Sequence, residues 1–348
     1  MATRATAAFS FGLISDVQYA DVADALDKNG KMMRHYRGAL DVLIRAVEHF
    51  NGFSSPPLSF VAQLGDIIDG KNAQANTSEA ALNIVLNVIG QSRAPFVNLI
   101  GNHEIYNFDR DTLAKQLGTR PAGRPVEFYA TAPAAGWRVF VLDAFQEAVV
   151  GWPPTEPRRQ KAVEFLRAKR TECGRPDDAD PSDWFAGLTG EDRRFCPYNG
   201  AFGARQLEWL RGQLRGAAEA GDRVIIMSHV ILHPKACGGT TMAWDYEEAL
   251  AAIAEHPGTV AIVLCGHEHK GGFHSDPATG THHLTVASPL NEGADGSAFG
   301  VVVAYSDRLE LHAPRLASVL RVEDLEAARA LDGGSGTENV LTLPLRPM

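Results

Sequence analysis

Residues 58–70 read LSFVAQLGDIIDG. A short, largely apolar run reaches Leu64 and stops at Gly65-Asp66, and an Asp-Gly pair, Asp69-Gly70, closes the stretch. A run this brief with no polar face predicts a strand buried on both sides. Glycine at its end lets the backbone turn sharply enough to aim the next side chain into a crevice. Two carboxylates are thus expected at the carboxyl end of a core strand.

The same pattern recurs along the chain. FGLIS (11–15) is followed by Asp16, Val17 and Gln18, and PFVNLI (95–100) by Gly101, Asn102, His103 and Glu104. RVIIMS (223–228) leads to His229, and TVAIVLC (259–265) to Gly266, His267, Glu268 and His269. WRVFVLD (137–143) is a further buried strand. Helical spacing is found at 37–50, 78–90, 203–221 and 244–258. Strands alternating with helices predict an α/β protein whose sheet is covered by helices. In such sheets the strand ends converge on one edge, where ligands bind. THHLTVASP, FGVVVAYSD and RLELHAP, late in the chain, predict a second, more antiparallel sheet packed against the first.

Composition narrows the function. The 348 residues are 45% hydrophobic and 22% charged, as in an ordinary soluble globular protein. The net charge is -9 and no Lys/Arg cluster stands out, so neither nucleic acid nor an anionic membrane is an expected partner. A phosphate-bearing substrate would need something other than bulk charge to offset repulsion, and a bound cation does this. Cys173, Cys196, Cys237 and Cys265 form no CxxC pair and no framework spacing, which predicts free thiols in a reducing compartment. No apolar segment follows MATRATAAFS as a signal would require, and none is long enough to cross a bilayer. A cytoplasmic monomer is expected.

One domain is expected over 9–315. Within it, 151–200 is set apart by its Pro, Gly and Asp density as an insertion or cap. Residues 316–348 are expected to be a C-terminal helix (VEDLEAARAL) and a flexible tail (GGSGTENVLTLPLRPM, 333–348).

Taken singly, a Gly-Asp or Ser-His pair after a strand is a turn or a cap. The ordered series D-x-Q, GD-x-x-D-G, GNHE, SH and GHEH is far more specific. It resembles the calcineurin-like metallophosphoesterase superfamily, whose pattern is DxH, GDxxD, GNHD/E, H and GHxH. Gln18 stands where the first motif usually has histidine. That replacement, with YAD after it, GNHEIYNF, PYNGAFGARQLEWL, WDY and GHEHKGGF, resembles the subfamily of manganese-dependent ADP-ribose/CDP-alcohol diphosphatases. The resemblance runs from about Phe11 to about Pro314.

The resemblance implies a four-layer αββα sandwich of two mixed sheets flanked by helices, so that 9–315 is a metallophosphoesterase domain. It implies two divalent cations, Mn²⁺ first, with Mg²⁺, Fe or Zn²⁺ as alternatives. Asp66 would bridge them; Asp16, Gln18 and His269 would complete one site, and Asn102, His229 and His267 the other. These oxygen and nitrogen donors suit hard cations and include no thiolate. His103 would sit beside the phosphate as acid or charge stabiliser without binding metal. Asp69 and Glu104 would orient histidines from behind.

Tyr106, Asn107, Phe108, Tyr198 and Asn199 are the expected substrate contacts, and Cys265 is expected to be a buried core thiol. The stretch 24–37 would wall the pocket, with Lys28, Lys31, Arg34 and Arg37 able to meet phosphate. The implied reaction cleaves the phosphoanhydride of ADP-ribose, CDP-choline or related nucleoside diphosphate-linked alcohols, small-molecule partners all. The alternatives are a cyclic-nucleotide phosphodiesterase of the same superfamily and a non-catalytic scaffold on this fold.

Overall fold

The computed structural model describes residues 6–118, 128–331 and 337–348. Twelve strands build two sheets. They are β1 Phe9–Ile14, β2 Leu58–Gln63, β3 Phe96–Asn98, β4 Tyr129–Ala134, β5 Trp137–Val141, β6 Arg223–Ser228, β7 Val260–Cys265, β8 Gly272–Ser275, β9 His282–Thr285, β10 Phe299–Ala304, β11 Arg308–His312 and β12 Val340–Pro344. The first sheet runs β12-β11-β10-β1-β2-β3 and the second β8-β9-β7-β6-β5-β4. Both are mixed. β1, β2 and β3 are parallel, while β10, β11 and β12 extend that sheet antiparallel. β5, β6, β7 and β9 are parallel, with antiparallel β4 and β8 at the edges.

The continuous apolar runs follow from this arrangement. In β1, Phe11 and Leu13 join an apolar cluster with Ile225, Met227, Ile262 and Leu264 of the other sheet, so the sheets pack face to face. The alternate residues Val61, Ile226 and Val263 face outward onto helices, among them Val42, Leu43 and Phe50 of Gly38–Gly52 and Leu207, Leu210 and Leu214 of Gly203–Ala220. With both faces covered, alternation has no polar side and vanishes from the sequence. The helices expected at 37–50, 78–90, 203–221 and 244–258 are observed as Gly38–Gly52, Ser78–Ile89, Gly203–Ala220 and Tyr246–Ala254.

Two expectations are corrected. The late strands do not form a sheet of their own: β9 pairs parallel with β7 in the second sheet, while β10 and β11 continue the first beside β1. β10 and β11 extend the first sheet antiparallel, whereas β9 is a parallel strand whose antiparallel neighbour is β8. The flexible tail expected over 333–348 is also revised. Residues 332–336 lie outside the described ones, but Val340–Pro344 pair with β11 along their whole length. Leu341 and Leu343 point inward and are buried, a period of two that makes this stretch an edge strand. β4, reading YATAPA, was not foreseen because it carries no apolar run.

Candidate metal centre

The carboxyl ends of β1, β2, β6 and β7 meet, and each delivers a side chain expected from the motif series. Asp16, Gln18, Asp66, Asn102 and His229 are almost wholly buried there, and His267 is 8% exposed. His269 closes the rim, its Nε2 3.0 Å from Gln18 Nε2 and 3.6 Å from Asp16 Oδ1. Gln18 Nε2 donates to Asp66 Oδ2 at 2.9 Å, and His229 Nε2 lies 3.4 Å from the same oxygen and 3.3 Å from Asn102 Oδ1. Donor atoms of Asp66, His229 and His267 all fall within 4.8 Å of one another.

The backbone is bent to bring these groups in. Five described non-glycine residues have positive φ, and four of them are Asp16 (50°), Gln18 (45°), Asp66 (57°) and His267 (70°). Each such conformation costs of order 1–3 kcal/mol and persists only where the surroundings impose it. The glycines permit the approach: a methyl on Gly101 would overlap the Asp66 carboxylate, and one on Gly65 would meet the His229 ring. Glu104, buried, holds the bend from below. Its carboxylate accepts N–H groups from Asp66 (2.7 Å), Ile67 (2.6 Å) and Gly101 (2.8 Å). It therefore clamps the Asp66 loop, rather than orienting a histidine as its sequence position suggested.

Charge in the site is polarised. Burial lifts the Asp16 carboxyl to about 7, against the pull of His229. Burial would also raise Asp66, yet His229 and His103 beside it hold it below the usual carboxylate range. His229 is the reciprocal case: burial opposes its charge, but Asp66 raises it to about 9. Burial, followed by the Arg34 guanidinium, brings His269 down to about 3, and burial with His229 lowers His267. Both latter imidazoles are thus neutral, with lone pairs to offer. Glu104 is lifted to about 7 by burial and by Asp66.

Buried polar groups are ordinarily hydrogen-bonded, yet Asp16 Oδ1 and Gln18 Oε1 are buried without a hydrogen-bond partner. A carboxylate oxygen and an amide oxygen orphaned beside Asp66 and neutral imidazoles are the donors a hard divalent cation takes. The residues fit such an ion.

The remaining expected residues have definite positions. Asp69 Oδ2 lies 3.2 Å from His103 Nδ1, which also receives the Gly70 N–H at 2.8 Å. The opposite ring nitrogen, Nε2, is 4.0 Å from Asp66 Oδ2, so His103 borders the centre from the side, 17% exposed. Tyr106 is 40% exposed beside His103 and its hydroxyl accepts from Asn102 Nδ2 at 3.3 Å. Tyr198 lies edge-on to the His267 ring at 5.6 Å.

Three expected substrate contacts are engaged elsewhere. Asn107 donates to the His103 and Asp69 carbonyls (2.7 and 3.1 Å) and accepts from Ser78 Oγ (2.7 Å). Phe108 packs on the main core. Asn199 is fully buried against His267. Cys265 is a buried core thiol, and all four cysteines are free.

Among the basic residues of 24–37, Arg34 reaches the centre electrostatically, Arg37 pairs with exposed Asp21 at 2.6 Å, and Lys28 lies 4.9 Å above Trp184. The sequence did not single out Ser15, whose hydroxyl donates to Asp16 Oδ2, or the Leu64 carbonyl 2.8 Å from His229 Nδ1. Ser15 adjoins the first motif and could have been suspected; a backbone carbonyl leaves no trace in residue identity.

A model of the calcineurin-like phosphoesterase family matches residues 9–271. The chain is 36% identical over 318 residues to a manganese-dependent ADP-ribose/CDP-alcohol diphosphatase of Bos taurus, covering 87% of this chain and 90% of that one. It is 35% identical over 303 residues to the protein of the same name in Arabidopsis thaliana, covering 87% and 93%. The crystal structure of a dimetal phosphatase from Danio rerio is similar at a TM-score of 0.81 with 29% identity, over 98% of this chain and 100% of that one.

Proposed function

The chain belongs to the calcineurin-like phosphoesterase family, and from that premise we propose that it is a manganese-dependent diphosphatase. It hydrolyses the phosphoanhydride of ADP-ribose, CDP-choline or a related nucleoside diphosphate-linked alcohol, releasing a nucleoside monophosphate and a phosphorylated partner. The observation that carries this is the buried cluster around Asp66, with orphaned oxygens on Asp16 and Gln18 and neutral imidazoles on His267 and His269.

In this proposal the centre is binuclear. Asp66 would be shared by the two cations, with Asp16, Gln18 and His269 able to hold one and Asn102, His229 and His267 the other. When bound, the cations polarise the phosphoryl oxygens and lower the pKa of water to yield a nucleophile at neutral pH. His103 carries the leaving side of the reaction. Burial disfavours its charge, but Asp66 and Asp69 raise its pKa above the ordinary imidazole value. Asp69 faces Nδ1, which leaves Nε2 toward the centre to donate a proton, or a hydrogen bond, to the departing phosphate oxygen.

Tyr106 and Tyr198, at the rim, offer aromatic surface to the nucleoside. No described helix is long and apolar enough to cross a membrane; the protein is proposed to act as a monomer in the cytoplasm. Residues 9–315 are proposed as the catalytic domain, with 151–200 as its cap. The test is to add Mn²⁺ to metal-stripped protein with ADP-ribose. AMP and ribose 5-phosphate are expected from the wild type and neither from Asp66→Ala; equal turnover by that variant would contradict the proposal.

A further inference from the structure

Asn199 closes the 151–200 segment and is fully buried, although the sequence gives it the look of a substrate contact. The direction of its amide is fixed by what surrounds it. Two backbone carbonyls, of Arg194 and Thr240, lie 2.9 and 2.8 Å from one end of the amide, and the Cys196 sulfur 3.2 Å from it. A carbonyl oxygen only accepts, so the group facing both must be the NH₂. Oδ1 therefore faces the other way, 2.7 Å from His267 Nε2. An amide oxygen also only accepts, so His267 must carry its proton on Nε2. The lone pair of the neutral ring is then on Nδ1.

We infer that Asn199 is a positioning residue that locks His267 in the Nε2–H tautomer, so that Nδ1 is the metal-binding atom. This rests on the metal-centre proposal and adds a function for the cap segment. Asn199, at the end of the loop from Arg194, is itself held by the Arg194 and Thr240 carbonyls. Tyr198, stacked edge-on against the same ring, limits its rotation. Such partners fix the tautomer and ring orientation, and losing one costs about 10–100-fold in metal affinity or activity. The cap and the centre are thereby mechanically joined through one hydrogen bond.

The tautomer is read directly by long-range ¹⁵N–¹H spectra of metal-free protein labelled in its histidines, with His267 assigned through His267→Gln. The Nε2–H form is expected; an Nδ1–H form overturns the inference. Calorimetric Mn²⁺ titration supplies a second readout. Asn199→Leu should weaken binding about 10–100-fold. Wild-type Mn²⁺ affinity in Asn199→Leu with only KM for ADP-ribose raised would make Asn199 a substrate contact and overturn the inference. A wild type that bound no Mn²⁺ at all would instead sink the metal-centre proposal, while the tautomer spectrum would still decide the role of Asn199.

Discussion

At Gly101 the absence of one methyl is what allows the Asp66 carboxylate to occupy its position. Gly101→Ala must push that carboxylate or its loop aside. Overpacking of this kind costs about 1–3 kcal/mol, and the larger consequence falls on metal binding. Mn²⁺ titration of Gly101→Ala should show the two-metal isotherm lost, and an unchanged isotherm would mean the loop can relax. His103→Ala is the complementary case. Mn²⁺ binding should be retained while kcat falls by a factor on the order of 10²–10⁴; loss of metal instead would move His103 into the ligand set. Residue identity made both positions legible, because Gly, Asn, His and Asp at strand ends carry chemistry in their names. It did not reveal Glu104 as a backbone clamp or Asn199 as a partner of His267. Those roles depend on which N–H groups and carbonyls surround them, and every residue has those.

The elements beyond the centre carry their own tests. β12 closes the first sheet through Leu341 and Leu343, both buried. Leu341→Ala should therefore cost about 2–5 kcal/mol in denaturant unfolding; a neutral substitution would restore the tail to the flexible state its Gly- and Ser-rich approach implied. Composition misled here because the glycines precede the strand rather than belong to it.

A second element-level feature lies at His233, just before the short turn Pro234–Ala236; its ring packs tilted against those of His274 and His283 at 4.4 and 4.6 Å. Burial and His274 push His233 down to about 4; burial and Lys235 lower His274, and burial and His233 lower His283. A folded-state imidazole pKa below the unfolded one, about 6.5, means the unfolded chain binds more protons in acid. Stability is then complete above that value and declines as pH falls from it toward 4. Melting temperatures of His233→Gln between pH 7.5 and 5 should fall less than those of the wild type, and parallel curves would contradict this account.

For the whole molecule, the burial of the long strands was legible from their patterning, whereas the four-layer order came only from the family resemblance. Runs apolar on both faces must be buried between helices and a second sheet, and the strand ends must then share an edge. What could not be read was how the late strands divide between the sheets. β9, β10 and β11 are all short, and the sheet each joins is decided by its partner: β9 pairs with β7, β10 with β1 and β11 with β10. Residues 151–200 stand apart in the sequence by their Pro, Gly and Asp density, but the contact of Asn199 with His267 needed the fold.

The central claim is a metal-dependent attack on a nucleoside diphosphate, and one measurement bears on it most directly. Metal-stripped protein is given ADP-ribose, CDP-choline and 2′,3′-cyclic AMP together, with Mn²⁺, Mg²⁺ or Zn²⁺ added in separate reactions, and products are separated by chromatography. AMP and CMP formed fastest with Mn²⁺, with the cyclic nucleotide left largely intact, is the predicted result. Opening of the cyclic nucleotide alone, or no turnover with any of the three metals, would contradict it.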